Sequence, residues 1–224
     1  MLESMKPVII VNFKAYKEGT GKEAVELAKI CEMVALETGK NIVIAVEEVD
    51  IHKISSLVKI PVYSEHLDPI YSGAHTGQNL PKALKDNGAE GTILNHSEDR
   101  FRIDQLEESI KIAKVIGLKT VVCANDSNIA EAVASFKPDM IAIEPPELIG
   151  GDISVSTAKP EIITDTISKV NKTAIIPVLC GAGIKNRSDV KKAIDLGAKG
   201  ILVASGIVKA SNPEESLKEL VEGL

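Results

Sequence analysis

The chain has three cysteines and no tryptophan, and aromatic residues make up only 3% of its 224 positions. Cys31, Cys123 and Cys180 are far apart and odd in number, which fits neither a disulfide framework nor a zinc knuckle. They are expected to pack as small apolar residues. The thin aromatic content carries no clue to a partner. No apolar stretch is long enough to cross a bilayer, and no basic, apolar, small-residue leader opens the chain, so the sequence reads as a soluble, cytoplasmic protein. Basic runs are missing too. Lys and Arg number 26 against 32 Asp and Glu, and a formal charge of −6 argues against a nucleic-acid surface, which needs clustered cations.

What is present repeats. Short apolar runs rich in Val and Ile predict strands over Val8–Asn12, Ile42–Val46, Pro61–Glu65, Gly91–Asn95, Thr120–Ala124, Met140–Glu144, Ile175–Cys180 and Gly200–Ala204. Helical spacing between them predicts helices over Lys22–Thr38, Ile51–Leu57, Pro81–Asn87, Asp104–Ile116, Asn128–Phe136, Pro160–Val170, Ser188–Leu196 and from Pro213 onward. Gly39, Gly88, Gly117 and Gly197 follow helices, and Ser188 reads as a cap before Asp189. Eight units in 224 residues leave about 28 each, close to the minimum for a strand and its helix. Nearly continuous apolar strands suit a parallel sheet covered on both faces. An open doubly wound sheet shares this pattern, but even spacing without a switch point favours a closed (β/α)₈ barrel, one domain over residues 1–224.

In such a barrel, function belongs on the loops after the strands. Asn12 closes the first run, and alternation points it the same way as Lys14, bringing a donor and a cation to the mouth. A solvated lysine after a strand would look the same. The fourth run leads into "NHSE", with His96 and Glu98; a histidine there can be purely structural, or can donate and accept protons. His52, His66 and His75 show no paired ligand spacing, so no metal is expected. The sixth run ends at Glu144. Pro145 and Pro146 stiffen the chain beyond it, Glu147 to Ile149 form a partly apolar tip, and Gly150 and Gly151 allow a second hinge, a pattern suited to a lid over a base. The seventh and eighth runs lead into "CGAGI" and "ASGI", whose small residues let backbone N–H groups approach a phosphate, although Gly181 and Gly183 also suit plain turns.

Taken together, "NFK", "NHSE", "EPPELIG", "CGAG" and "LVASG" resemble triosephosphate isomerases, in particular the shorter archaeal ones, in the same order over essentially the whole chain. The resemblance implies interconversion of dihydroxyacetone phosphate and glyceraldehyde 3-phosphate without a cofactor. By position it implies Glu144 as base, His96 as electrophile, and Asn12 and Lys14 as the substrate-facing polar pair, with Glu98 supporting Lys14. Ile149, Gly150, Gly183, Ala204 and Ser205 would face the phosphate. It also implies a homo-oligomer, with Thr76 of "SGAHTGQ" near a neighbour's Asn12 and Lys14, and a tetramer favoured over a dimer.

Some positions depart from the family pattern. Gly150, Gly151 and Asp152 stand where many relatives carry Gly-Thr-Gly, and Asp152 is expected to point outward. Glu65 and the "VEE" around Glu47 are more acidic than expected. Rival readings are a Schiff-base aldolase, which would want a lysine where Glu144 stands, a metal-dependent epimerase, and a sugar-phosphate binder without turnover.

Overall fold

The computed structural model describes residues 5–145, 156 and 159–224. Its strands are β1 (Val8–Asn12), β2 (Asn41–Val46), β3 (Val62–Ser64), β4 (Gly91–Leu94), β5 (Lys119–Ala124), β6 (Met140–Ile143), β7 (Val178–Gly181) and β8 (Gly200–Val203). Each pairs in parallel with the next, and β8 returns to β1, so the sheet closes into a barrel. The expected (β/α)₈ architecture is thus observed. Among the described residues the helices are α1 (Gly21–Thr38), α2 (Ile51–Ser55), α3 (Pro81–Asp86), α4 (Ile103–Ile116), α5 (Ser127–Ala134), α6 (Pro160–Thr173), α7 (Arg187–Asp195), α8 (Ser205–Val208) and α9 (Pro213–Val221). None is long and apolar enough to cross a membrane.

Alternation along each strand builds two cores. Val8 and Ile10 of β1, Val43 and Ala45 of β2, Tyr63, Ile93, Val121 and Cys123, Met140 and Ala142, Leu179 and Leu202 pack together inside the barrel. Their neighbours, such as Ile9, Val11, Ile42, Ile44, Ile141 and Ile143, face outward and meet the helices. Helix α1 buries Ala24, Leu27, Ala28, Cys31 and Val34, a stripe at the three-to-four-residue spacing that a helix lays on a sheet. It stops at Gly39, whose left-handed backbone (φ 66°) returns an N–H to Ala35 O. All three cysteines are free and buried, as their spacing suggested.

Most element ends differ from expectation by a residue or a few, and three departures have a clear local reason. Ser188 is not the cap of its helix: Asn186 is, with extended backbone and a side-chain oxygen that accepts the Asp189 N–H at 3.0 Å, so α7 starts earlier. Strand β7 begins at Val178 rather than Ile175, because Pro177 has no N–H to give and restricts the residue before it. Helix α8 was not expected at all, being too short at four residues to show a period.

Closure depends on a tight seam between β1 and β8. Gly200 pairs with Val8 at φ 148°, and a Cβ there would stand 2.1 Å from the Val8 carbonyl oxygen. The clash is with backbone, which cannot rotate away. We expect Gly200→Ala to destabilise the fold by about 2–4 kcal/mol, read from denaturant unfolding; a cost below about 1 kcal/mol would contradict this account of the seam.

Candidate functional site

The inward rows of the barrel do not stop where the strands do. Continuing each row by two residues leads from Ile10 to Asn12, Tyr63 to Glu65, Ile93 to Asn95, Ala142 to Glu144, Leu179 to Gly181 and Leu202 to Ala204. The apolar interior therefore ends in a polar ring at the C-terminal mouth, where a cavity of about 500 Å³ opens. Asn12, Lys14, His96, Glu98, Glu144, Gly183, Ala204 and Ser205 all line it, together with Tyr16, Ala182, Ile184, Lys185 and Gly206. Thr76 stands apart on the exposed segment after β3. Ile149, Gly150, Gly151 and Asp152 lie outside the described residues.

Glu144 extends the sheet by one rung, its N–H donating to Ala124 O at 2.8 Å, so the side chain starts from rigid backbone. It is 6% exposed, and its Oε2 has no hydrogen-bond partner among the described residues. That oxygen faces His96 Nε2 across 3.7 Å, beyond hydrogen-bonding length. Gly181 supplies the space: a Cβ there would lie 2.5 Å from Glu144 Cγ and 2.8 Å from its Oε1. Cys123, on the neighbouring strand, keeps its thiol proton because burial, then the charge of Glu144 and a hydrogen bond to it, push the thiol well above its ordinary range. Sequence reasoning missed Cys123, although its parity on β5 aims it at the interior.

His96 is buried and oriented by its neighbour. The Glu98 N–H donates to Nδ1 at 3.3 Å, which places the proton of the neutral ring on Nε2, the nitrogen facing Glu144. Asn95, also missed, pins this turn: its Nδ2 donates to Cys123 O at 2.9 Å and its Oδ1 accepts the Phe101 N–H at 3.1 Å. Lys14 Nζ donates to Glu98 Oε1 at 2.8 Å, and the Lys14 N–H donates to Asn12 Oδ1 at 3.1 Å. Lys14, Asn95 and Ala182 all have positive φ (51°, 59° and 72°) without being glycine. Left-handed backbone costs such residues about 1–2 kcal/mol, and here the cost falls at three strand ends around one cavity. A partnerless carboxylate oxygen, an imidazole N–H and an ammonium lining one cavity are suited to proton abstraction beside a carbonyl.

On the far side of Lys14 lies an acidic junction. Glu48 Oε1 accepts the His66 N–H at 2.8 Å, and burial raises the Glu48 carboxyl above its ordinary range. Glu65 has a buried Oε1 without a partner among the described residues. Burial and then the charge of Glu48 push its carboxyl from 4.5 up to about 8, against the lowering effect of the Lys14 N–H and ammonium. The His66 ring stacks on Phe101 at 4.9 Å, between Asp99 and Asp68.

The triosephosphate isomerase family model matches residues 7–223. A triosephosphate isomerase of Methanobacterium bryantii is 48% identical over 216 residues, covering 96% of each chain. That of Methanocaldococcus jannaschii is 48% identical over 218 residues, covering 96% of this chain and 99% of the relative, and that of Methanothermobacter thermautotrophicus is 46% identical, covering 99% of each.

Glu65 makes stability depend on pH in a definite direction. With its folded value near 8 and its ordinary value 4.5, the folded chain holds a proton that the unfolded chain releases, so this contribution to stability is lost as pH rises from about 4.5 to about 8. We expect Glu65→Gln to match the wild-type melting temperature near pH 4 and to exceed it by a margin that grows up to pH 8. A margin independent of pH would refute the assignment.

Proposed function

The chain belongs to the triosephosphate isomerase family and interconverts dihydroxyacetone phosphate and D-glyceraldehyde 3-phosphate, a step shared by glycolysis and gluconeogenesis, and from that premise we propose that Glu144 is the base that moves the proton. One observation carries the reading: the buried Glu144 Oε2, unpartnered among the described residues, faces the proton-bearing nitrogen of His96 at 3.7 Å inside the mouth cavity.

In this reading Glu144 takes a proton from the carbon next to the carbonyl, and the electron pair left behind moves onto the carbonyl oxygen. His96 Nε2–H donates to that oxygen while the Lys14 ammonium offsets the developing charge. Asn12 holds Lys14 and faces the substrate. The hydroxyl proton passes from one oxygen of the enediol to the other by way of His96 Nε2, Glu144 returns its proton to the adjacent carbon, and the carbonyl re-forms on the carbon first deprotonated, completing the aldose–ketose exchange without a cofactor. Backbone N–H groups of Gly183, Ala204 and Ser205 hold the phosphate away from the reacting carbons, joined by Ile149 and Gly150 of the lid. Excluding water protects the enediolate from losing its phosphate. A Schiff-base mechanism lacks its amine at this strand end, since the sixth strand delivers Glu144.

We further propose that residues 1–224 act as one barrel domain, in the cytoplasm, assembled as a homotetramer. The segment from Tyr71 to Gln78, which includes Thr76, supports assembly by being exposed throughout in the single chain. Sedimentation is expected to return four times the chain mass of 23.9 kDa, and a monomer or dimer would refute the tetramer.

The role of Glu144 is tested by a coupled assay on dihydroxyacetone phosphate. Gln keeps the shape and removes the base, so Glu144→Gln is expected to lower kcat by about 10²–10⁴-fold with its fold intact by circular dichroism. Turnover at the wild-type rate would overturn the proposal.

A further inference from the structure

The mouth receives a dianion into a chain whose formal charge is −6, so substrate approaching from solution meets overall repulsion. Lys14, inside the mouth, is already paired with Glu98 at 2.8 Å. A different cation stands on the exposed surface beside the cavity lining. Lys209 directly follows α8, whose Ser205 and Gly206 line the cavity, and its Nζ lies 5.3 Å from the centroid of the Tyr16 ring. Tyr16 itself lines the cavity, and 5.3 Å is within the range in which the electron-rich face of a ring attracts a cation. No carboxylate pairs with Lys209 among the described residues.

The choice of partner matters physically. A carboxylate would hold the ammonium in place but cancel its field, whereas an aromatic face holds it and leaves the charge in force. The short α8 keeps Lys209 within one helical turn of Ser205, and the ring keeps the long side chain from wandering into solvent. Resting on the reading above, that the cavity takes a triose phosphate, we propose that Tyr16 and Lys209 form an electrostatic guide, an uncancelled positive charge parked at the phosphate side of the rim to draw in the substrate dianion. Neither touches the reacting carbons, so they act on capture of the substrate and leave the proton transfers alone.

The test compares kcat and KM for glyceraldehyde 3-phosphate between about 10 mM and about 1 M salt, over which the screening length shrinks from about 30 Å to about 3 Å. At the low end Lys209→Gln is expected to lose about three- to tenfold in kcat/KM with kcat unchanged, and to converge on the wild type at the high end. Lys209→Arg, which keeps both the charge and the ring contact, retains the wild-type values. Tyr16→Leu, which keeps the charge but releases it, loses kcat/KM in the same salt-dependent way to a smaller extent. A Lys209→Gln protein equal to wild type at low salt overturns the proposal, and so does a loss that persists undiminished at 1 M, which would indicate packing rather than charge. Wild-type protein without any turnover would instead sink the isomerase reading, so the two failures are distinguishable.

Discussion

A carboxylate proposed as the base, Glu144, must be dry, uncrowded and immobile at once, and those demands pull against one another. Drying a carboxylate means packing atoms around it, and packing atoms leaves little room for substrate. The barrel resolves this with a side chain that is missing: residue 181 has no Cβ, so the neighbouring strand passes close to the Glu144 carboxyl without striking it. The Ala124 carbonyl holds the backbone from one side, the Cys123 thiol contributes a hydrogen bond, and Oε2 alone is left facing His96.

Around that group, the mouth concentrates conformational cost. Lys14, Asn95 and Ala182 are in left-handed backbone at the ends of β1, β4 and β7. Eight strands bonded in a closed ring over-determine the path of every loop between them, which is what allows strained residues to persist. Asn95 shows how: both ends of its side chain bond to backbone, so the turn carrying His96 is tied to the adjacent strand and to the residues leading into α4.

Charge at the mouth serves opposed needs. Lys14 sits between Glu98, which takes its ammonium, and Glu65, whose buried carboxyl lies beside its backbone. The carboxylates hold the lysine in place but add negative potential where, in the proposed function, an anion enters. An imidazole whose Nδ1 accepts from the Glu98 backbone supplies a donor without adding charge, and the ring-held Lys209 adds positive charge without a carboxylate beside it.

The sequence by itself determined the eight-unit repeat, the closed barrel and the polar residues that end the strands. Those features are written in local signals: β-branched runs, helical stripes, and an alternation of period two that continues through Asn12 and Glu144. Four residues after β8 were too few to announce a helix, and Ser188 could not be told from Asn186 as a cap, because both can accept an N–H. Glu65 was legible only as an oddity of type. Its carboxyl proton, the space that Gly181 leaves, the Cys123 thiol beside Glu144 and the ring under Lys209 were decided by tertiary structure alone. Each joins residues far apart in the chain, and such contacts exist only once the ring of strands has closed and fixed which side chains share the mouth.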